Sequence, residues 1–347
     1  MSLKNRSRLH KIRNGGKVKK YSVGIDIGGT NIAVALVTAD GKIKSKIKFP
    51  TKINRGEEII IDEIVWKVSR VVKSVPVKSV AGIGIGAAGF IYYEEGTIKF
   101  SPNMFHREVP FVSMMNEKIR SRGDKRLLGL PLYFDNDANV AAWGAYQMDV
   151  PKTVENLICV TLGTGVGGGI IIDGKIYHGA DGYAGEIGHI ILNPDGPKCN
   201  CGNYGCMEKY VGAGSIVERT LREIKRGRRS MIEKLVNGRL EDMTTKTLYD
   251  AAKRGDELAN EMWKNTGRCL GISLAGIVNL LNPEFIVLAG GVAKAGDLIL
   301  SPMRRTIKEH ANTYAAKAVR CIISKLGDNL GVVGAALLVR QKDAKSF

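Results

Sequence analysis

The hydrophobic and polar positions of the chain follow strand-like and helix-like patterns in turn. Residues 21–49 contain two or three apolar runs, which turn sequences at Gly28-Gly29 and Asp40-Gly41 separate. Apolar runs divided by glycine turns are typical of paired strands. In residues 56–74 the apolar side chains recur every three or four positions, and this spacing predicts a helix. Residues 79–89 then predict a buried strand.

The rest of the chain continues this alternation of strands and helices. Further strands are predicted at residues 131–135, 157–172 (two strands around a glycine-rich turn), 285–291 and 319–323. Further helices are predicted from residues 137–139 onward, over most of residues 208–282, near 298–311 and at 331–341. Strands that alternate with helices indicate the α/β class.

Length and composition add expectations about domains and location. A chain of 347 residues is long enough for two domains. We expect a basic N-terminal tail at 1–20, a small α/β domain at 21–138 that the C-terminal helix at 331–347 completes, and a large α/β domain at 139–330. No apolar run reaches the ~18 residues of a membrane helix, and no signal peptide is visible. We therefore expect a cytoplasmic protein without a membrane partner.

The tail contributes much of the net charge of +18, because residues 1–20 hold eight Lys or Arg side chains and no acid. A basic arm of this kind can bind nucleic acid or an anionic membrane. The arm has no aromatic side chain to stack on bases, which favours a solvated extension instead. No nucleic-acid partner is predicted.

Three glycine clusters follow predicted strands: residues 24–31 (GIDIGGTN), 162–169 (LGTGVGGG) and 288–292 (LAGGV). In the first, Asp26 lies between apolar residues, where a carboxylate is costly unless a cation or hydrogen-bond donors satisfy it. Glycines also let backbone N–H groups come close to an anion. A tight turn explains each cluster taken singly, whereas three together point to one phosphate-bearing ligand held between two domains.

The spacing G-x-G-x-x-G occurs twice, at Gly84–Gly89 and at Gly163–Gly168, but it does not indicate a dinucleotide site. That fingerprint requires a helix after the glycines, and here β-branched or aromatic residues predict strands. The chain also lacks the Gly-Lys-Ser/Thr sequence that ends a P-loop. NAD binding and P-loop chemistry are therefore both disfavoured.

Residues 134–139 (FDNDAN) lie where a strand meets a helix, which is the usual place for ligand-binding groups in α/β sheets. Asp137 has two roles open at this point. It can cap the helix N-terminus, or it can act as a general base that takes a proton from an attacking hydroxyl group. In the second case Asn136 would orient the substrate. Spacing alone does not decide between the two.

One imidazole and three thiols that lie close in sequence predict a metal site: His189, Cys199, Cys201 and Cys206. A Cys₃His set is the usual composition of a structural zinc site. Because the set is closed, we expect the metal to shape the loop rather than to take part in chemistry. Glu186 and Glu208 flank the loop, and carboxylates held in this way suit hydrogen bonding to a polyhydroxy ligand.

Six of these segments, in this order, resemble the ROK family of sugar kinases and related repressors: GIDIGGTN, DNDAN, TLGTGVGGG, GEIGH, CNCGNYGC and NPEFIVLAGGV. The resemblance runs from about residue 21 to the end, and the pairing of GEIGH with CNCGNYGC is highly specific. It implies an α/β, actin-like ATPase (ribonuclease H-like) fold, with two α/β domains around a cleft that binds ATP and a hexose. It also implies Mg²⁺ and structural Zn²⁺ as cofactors, and a homodimer or higher homo-oligomer.

The resemblance assigns roles to individual residues. Asp137 matches the family's catalytic base, which deprotonates the sugar 6-hydroxyl group, and Asp26 matches a carboxylate on the Mg²⁺ side. His189 and the three clustered cysteines match zinc ligands. The sugar-binding positions are Asn103, Asn136, Asp137, Glu186, His189 and Glu208. The nucleotide-binding positions are Gly28, Gly29, Thr30, Asn31, Thr164, Gly165, Gly290 and Gly291.

The activity that follows is ATP-dependent phosphorylation of a hexose, with glucose expected first. Kinases for N-acetylhexosamines, mannose or fructose stay open, because Ala87-Ala88 and Met104 depart from the family pattern in loops near the sugar. Two other classes are a sugar-sensing regulator without catalysis and a zinc-stabilised structural protein without turnover. The roughly 20 residues before the first motif are too few for a winged helix–turn–helix domain, which argues against a DNA-binding regulator.

Overall fold

The structure, a computed structural model, describes residues 12–14, 17–101, 104–105, 107–342 and 344–347. Most of the predicted basic tail therefore lies outside the described residues. In the part of the tail that is described, Arg13–Asn14 pairs antiparallel with Lys17–Val18. Strand pairing thus begins before residue 21, where the hydrophobic pattern predicts the first strand.

Strands and helices alternate along the chain, and most predicted elements are confirmed to within one to three residues at each end. The strands are β1 (Arg13–Asn14), β2 (Lys17–Val18), β3 (Tyr21–Ile27), β4 (Asn31–Thr38), β5 (Ile43–Pro50), β6 (Val80–Ala87), β7 (Phe90–Tyr92), β8 (Thr97–Phe100), β9 (Leu132–Asn136), β10 (Leu157–Leu162), β11 (Val166–Ile172), β12 (Lys175–Ile176), β13 (Phe285–Ala289) and β14 (Arg320–Ile323). The helices are α1 (Glu57–Val72), α2 (Phe111–Arg122), α3 (Asp137–Met148), α4 (Glu208–Val211), α5 (Ala213–Lys225), α6 (Ile232–Leu235), α7 (Thr245–Lys253), α8 (Glu257–Leu281), α9 (Asp297–His310), α10 (Thr313–Ala318) and α11 (Leu330–Leu338).

Both G-x-G-x-x-G matches lead into strands, as the residues after them predict. Gly84–Gly89 precedes β7, and Gly163–Gly168 runs into β11. Neither cluster has the helix that a dinucleotide site requires after its glycines. The sequence-based argument against a dinucleotide fingerprint is confirmed at both places.

One five-stranded sheet has the order β5-β4-β3-β6-β9. β4 pairs antiparallel with β3 and β5, whereas β3, β6 and β9 are parallel. Successive side chains of a strand point to opposite faces. Val23, Ile25 and Ile27 of β3 pack in one core with the buried Ile and Val side chains of α1. Gly24 and Asp26, which alternate with them, meet α11.

Close packing of α11 on this sheet depends on glycine. A Cβ atom on Gly24 would overlap the carbonyl oxygen of Val332, and one on Gly84 would overlap that of Ala335. α11 is apolar all round and buried along its length, as expected for a helix enclosed in a core. The C-terminal helix α11 therefore packs in the core of the sheet that the N-terminal strands form.

The second five-stranded sheet has the order β12-β11-β10-β13-β14. β13 runs parallel to both β10 and β14. The long helix α8 lies against α9 in the same part of the chain, and a Cβ atom on Gly267 would meet the side chain of Pro302 at 2.5 Å. Among the described residues, no helix combines the length and apolar composition that crossing a membrane requires.

The chain divides into two compact units. Unit 1 comprises Met1–Glu155, Gly169–Gly185 and Asp328–Phe347, and unit 2 comprises Asn156–Gly168 and Glu186–Gly327. This division differs from the expected boundary after residue 138, because α3 packs on α11 and belongs with it. A Cβ atom on Gly334 of α11 would overlap the carbonyl oxygen of Val140 in α3.

Candidate functional site

The corner between β9 and α3 carries the residues predicted to act on the substrate. The Asn136 side chain is the N-cap of α3, since its Oδ1 accepts hydrogen bonds from the backbone N–H groups of Ala138 (2.8 Å) and Asn139 (3.3 Å). Its Nδ2 donates to the carbonyl oxygen of Gly89 at 3.0 Å. Asp137 is the first residue of the helix, so the N-cap role that the sequence left open for Asp137 belongs to Asn136. The half-buried Asp137 carboxylate accepts from the Ala138 N–H at 2.9 Å.

Asp135, just before this corner, is buried and was given no role by the sequence. Its Oδ1 accepts from the backbone N–H of Asn136 (2.7 Å) and from Nδ2 of Asn139 (2.8 Å), and its Oδ2 lies 2.7 Å from Nε2 of His178. The His178 ring is stacked on Tyr93, with centroids 3.8 Å apart and planes at 13°. The sequence could have indicated a role for Asp135, because a carboxylate at a buried strand position needs hydrogen-bond partners. It could not have indicated His178 as the partner, because His178 lies 43 positions away in the chain.

Asp26 lies near the end of β3, half-buried against α11. Burial raises the pKa of Asp26 to about 6, and the nearby Lys46 and Lys48 side chains act in the opposite direction. A Cβ atom on Gly331 would overlap the Asp26 carboxylate, so a larger residue there would displace the Asp26 side chain. With this pKa, the Asp26 carboxyl group is partly protonated near neutral pH. A divalent cation bound beside it would stabilise the ionised form.

The turn at residues 28–31, predicted to bind phosphate, is closed by a hydrogen bond from the Gly28 N–H to the Asn31 carbonyl oxygen at 3.1 Å. Thr51 anchors it, because its hydroxyl group donates to the Gly28 carbonyl oxygen (2.7 Å) and its N–H donates to the Thr30 carbonyl oxygen (2.9 Å). Gly28 and Gly29 are half-buried, whereas Thr30 and Asn31 are exposed. Thr51 is a supporting residue that sequence reasoning missed.

The loop between β10 and β11 holds Thr164 and Gly165, both exposed. The Gly163 N–H donates to the Gly165 carbonyl oxygen at 2.9 Å. Glu208 supports the loop, since its Oε2 accepts from the Val166 N–H at 2.9 Å. A Cβ atom on Gly165 would lie 2.7 Å from that same oxygen, so the carboxylate occupies the space of a larger residue's side chain.

The two glycines after β13, Gly290 and Gly291, have different surroundings. Gly290 has a φ of +89°, and a Cβ atom there would overlap the backbone of Leu162 in β10. Packing therefore explains Gly290 without a ligand. Gly291 is exposed, and a Cβ atom there would meet no atom of the described residues within 4 Å beyond its chain neighbours. The surroundings of Gly291 thus leave space for another molecule.

The predicted metal set comes together in unit 2. The ligand atoms of His189, Cys199, Cys201 and Cys206 all lie within 4.8 Å of one another. Sγ of Cys199 is 3.8 Å from Nδ1 of His189, and the Sγ atoms of Cys201 and Cys206 are 3.6 Å apart. Ligands at about 2.3 Å from a tetrahedral Zn²⁺ ion are separated by about 3.8 Å. The donor set and its spacing therefore fit zinc. Burial and the neighbouring thiols raise the pKa of the Cys206 thiol to about 12.

Glu186 and Glu208 both reach this cluster. Oε2 of Glu186 lies 3.8 Å from Nε2 of His189, and the Cys199 thiol lies 3.9 Å from Oε1 of Glu208. Burial raises the pKa of Glu186 and the Glu208 charge adds to this effect, whereas His189 opposes it. Since the two His189 nitrogens face different groups, one imidazole can serve a metal and a ligand at once.

Of the predicted site residues, Asn103 lies outside the described residues. The remaining ones fall into groups within each unit. Unit 1 contains Asp26, the 28–31 turn, Asn136 and Asp137. Unit 2 contains Thr164, Gly165, Glu186, His189, the three clustered cysteines, Glu208, Gly290 and Gly291.

Comparison with known proteins defines the class. The sequence model of the ROK family matches residues 22–342, so the chain belongs to the ROK family. It is 36% identical over 325 residues to a glucokinase of Streptomyces coelicolor, a match that covers 93% of this chain and 98% of that protein. The expected actin-like ATPase fold of two α/β units is confirmed.

A solved structure and a regulator extend the comparison. The crystal structure of a ROK family glucokinase from Streptomyces griseus in complex with glucose and AMPPNP has a TM-score of 0.79 and 34% identity, and the match covers 92% of this chain and 99% of that one. A xylose repressor of Caldicellulosiruptor bescii is 30% identical over 319 residues, covering 91% of this chain and 77% of the repressor. Kinases and repressors thus both occur among the relatives.

Proposed function

We propose that the protein is an ATP-dependent glucokinase that transfers the γ-phosphoryl group to the 6-hydroxyl group of glucose. The observation that carries this proposal is Asp137 at the first position of α3, half-buried beside the Asn136 cap, in a chain that is 36% identical to a glucokinase over nearly its whole length. A carboxylate held at the carboxyl end of a parallel strand is where an α/β sheet places its ligand-binding groups.

In the proposed mechanism Asp137 accepts the proton of the sugar 6-hydroxyl group while the hydroxyl oxygen attacks the γ-phosphorus of ATP in line. The bond from the γ-phosphorus to the β,γ-bridging oxygen breaks, and ADP leaves. Phosphoryl transfer demands positioning and charge neutralisation more than covalent chemistry by the protein. When bound with ATP, Mg²⁺ neutralises charge on the phosphate oxygens. Asp26 is the proposed carboxylate on the Mg²⁺ side, and its burial with a pKa of about 6 fits a partner for a cation.

The proposed sugar contacts are Asn136, Asp137, Glu186, His189 and Glu208, with Asn103 as a further predicted contact. Support for Glu208 comes from its second oxygen, which the Val166 N–H fixes at 2.9 Å. The proposed nucleotide contacts are Gly28, Gly29, Thr30, Asn31, Thr164, Gly165, Gly290 and Gly291. Exposure of Thr30, Thr164 and Gly291 supports their availability to a ligand.

We also propose a structural Zn²⁺ ion held by His189, Cys199, Cys201 and Cys206. Protein ligands then fill all four coordination positions of a tetrahedral ion, so the ion stabilises the conformation of the loop. The orientation of Glu186 depends on this cluster, because its Oε2 lies 3.8 Å from Nε2 of His189. A homodimer or higher homo-oligomer, the state expected for the family, is proposed as well.

The central test is the variant Asp137→Asn, which keeps the size of the side chain and removes the base. We expect glucose binding to persist while kcat falls by about 10²- to 10⁴-fold, the usual contribution of a general base. The matched control is Glu257→Gln, since Glu257 is likewise the first residue of a helix and is exposed. Coupled-assay kinetics and glucose titration by calorimetry provide the two measurements.

Near-wild-type turnover of Asp137→Asn would assign the base elsewhere. A substrate analogue sharpens the test, because 6-deoxyglucose should bind competitively and accept no phosphate. Turnover over glucose, mannose, fructose, glucosamine and the N-acetylhexosamines then distinguishes glucokinase from the related kinases.

The second candidate is a sugar-sensing regulator, which the similarity to a xylose repressor favours. A regulator of this type would bind a sugar without phosphorylating it. Sequence-specific DNA binding that persists in competitor salt, together with no turnover on any hexose, would support this alternative over the kinase.

A further inference from the structure

Asp135 joins the Asn136–Asp137 corner to a separate loop. Its side chain is 4% exposed, and a buried carboxylate is costly unless its oxygens accept several hydrogen bonds. Two of its donors, the Asn136 N–H and Asn139 Nδ2, belong to the corner itself. The third group, Nε2 of His178, comes from the segment after β12.

We propose that Asp135 and His178 are positioning residues that fix the direction of the Asp137 side chain, a role that rests on the proposed kinase function. An ionised carboxylate only accepts hydrogen bonds, so at 2.7 Å the His178 Nε2–H is the donor to Oδ2. Oδ1, on the same rigid carboxylate plane, holds the backbone N–H of Asn136 and the side chain of Asn139. Rotation of this plane would therefore move both sides of Asp137.

His178 is itself held in place from two sides. Its ring lies flat on Tyr93, between β7 and β8, at a centroid distance of 3.8 Å. Its carbonyl oxygen accepts the Ala184 N–H at 3.0 Å. The His178 side chain is only 17% exposed, so little water competes for the bond to Asp135. The linkage from Tyr93 through His178 and Asp135 to the corner lies wholly within unit 1.

Asn136 and Asn139 connect Asp135 to the proposed catalytic base Asp137. They flank the proposed base on both sides, and the same two residues form the capping contact that starts α3. If the carboxylate of Asp135 loses its outer partner, the corner gains freedom and the base moves relative to its substrate. A misplacement of about 1 Å can cost roughly 10²-fold in rate, while substrate binding by other residues continues.

Two substitutions at one position separate the hydrogen bond from the stacking. His178→Phe keeps a ring on Tyr93 but has no donor, and His178→Gln keeps an N–H donor without the ring. We expect His178→Phe to lower kcat by about 10- to 100-fold with the KM for glucose changed by less than about threefold. His178→Gln should recover most of the lost kcat. Tyr314→Phe, which removes only the hydroxyl group of an exposed ring outside the linkage, is the matched control and should behave like the wild type.

A purely structural role would lower stability without this pattern. Wild-type kcat in His178→Phe, or an equal loss in His178→Gln and His178→Phe, would overturn the proposal. Should His178→Phe fail to fold, Asp135→Asn tests the same link, since it keeps the size and replaces one acceptor oxygen by a donor. Its kcat is expected to fall, again with little change in KM.

Amide hydrogen exchange makes the test independent of the proposed kinase function. In His178→Phe we expect faster exchange at residues 136–139 and wild-type exchange in the helices of unit 2. Unchanged protection of residues 136–139 would overturn the positioning role even if the wild-type protein phosphorylates no hexose. Loss of protection in a protein without hexose turnover would instead preserve the linkage and reject the kinase.

Discussion

The Asp26 carboxylate is costly to bury, and it is also the proposed carboxylate on the Mg²⁺ side of the site. It lies on the face of β3 that meets α11, where Gly331 leaves just enough space for its carboxylate. Burial moves its pKa from 3.8 to about 6, and the lysines nearby only partly offset this cost. The sequence predicted a carboxylate that is costly at this position unless a cation or hydrogen-bond donors satisfy it, and the raised pKa shows such a cost.

The pH dependence of Asp26→Asn follows from the direction of this shift. Because the folded chain holds the proton more tightly than the unfolded chain, the group favours folding below about pH 4, and this contribution is lost as the pH rises through 6. We expect Asp26→Asn to raise the free energy of unfolding at pH 7.5 by about 1–2 kcal/mol relative to wild type, less than the full shift because the side chain is only half-buried. At pH 4 the two proteins should be equal.

Urea unfolding at both pH values measures the difference. The control is Asp40→Asn, because a hydrogen bond from Thr38 lowers the pKa of Asp40 and gives no gain on neutralisation. Equal stability of Asp26→Asn and wild type at pH 7.5 would contradict the buried-charge account. We expect the stabilised variant to lose kinase activity, since the proposed site needs the carboxylate.

At the scale of elements, the packing of α11 depends on glycines that lie against backbone carbonyl groups of the facing element. Because Gly24 and Gly84 lack a Cβ atom, the backbone of α11 can lie close to the sheet. Gly334 lets α3 approach α11 in the same way. The sequence predicted a helix at residues 331–341. It could not predict which strands and which helix would approach it, because the partners are separated by about 190 to 310 residues.

Gly334→Ala tests this close packing. A Cβ atom would overlap the Val140 carbonyl oxygen, so α3 must shift, and we expect the free energy of unfolding to fall by about 1–3 kcal/mol despite the better helix propensity of alanine. Gly276→Ala in α8, where a Cβ atom would meet no described atom within 4 Å outside its own helix backbone, is the control and should gain up to about 1 kcal/mol. Denaturant unfolding compares the two, and a stabilised Gly334→Ala would show that α11 is free to adjust.

The cysteine loop is an element that a metal is proposed to hold together. Cys201→Ser should release Zn²⁺ and lower the melting temperature by several degrees, since metal binding and folding are coupled at such sites. Cys269→Ser, outside the cluster, provides the control and should keep both the metal and the melting temperature. Elemental analysis and calorimetry measure the two effects. One retained equivalent of zinc with an unchanged melting temperature in Cys201→Ser would contradict the Cys₃His site.

At the scale of the whole molecule, the sequence predicted what is local and missed what is distant. The Cys₃His set was accessible because its four members lie within eighteen consecutive residues. The corner at Asn136 and Asp137 was accessible for the same reason, although its N-cap was assigned only by the hydrogen bonds. The contacts of His178 with Asp135 and of Thr51 with the 28–31 turn join loops that no spacing rule relates.

The division of the chain was equally hard to predict, because it follows packing rather than order. α3 and residues 169–185 group with the N-terminal sheet, and the last twenty residues return to it. The expected boundary after residue 138, drawn from the order of the elements, falls in the first turn of α3, where no change of pattern marks the grouping. The fold class followed from the alternation of strands and helices, whereas the grouping of α3 and of residues 169–185 with the N-terminal strands depends on packing that the sequence pattern does not show.

Because α11 follows the other elements along the chain, the ribosome releases the N-terminal strands long before the helix that fills their glycine-lined surface exists. About 190 to 305 residues separate Val140, Gly84 and Gly24 from the start of α11, and until that helix is translated the surfaces around them lie uncovered by it. A nascent chain of this protein therefore carries an unfinished core until α11 has emerged. A truncation that removes α11 would thus disrupt the part of the protein that was synthesised first.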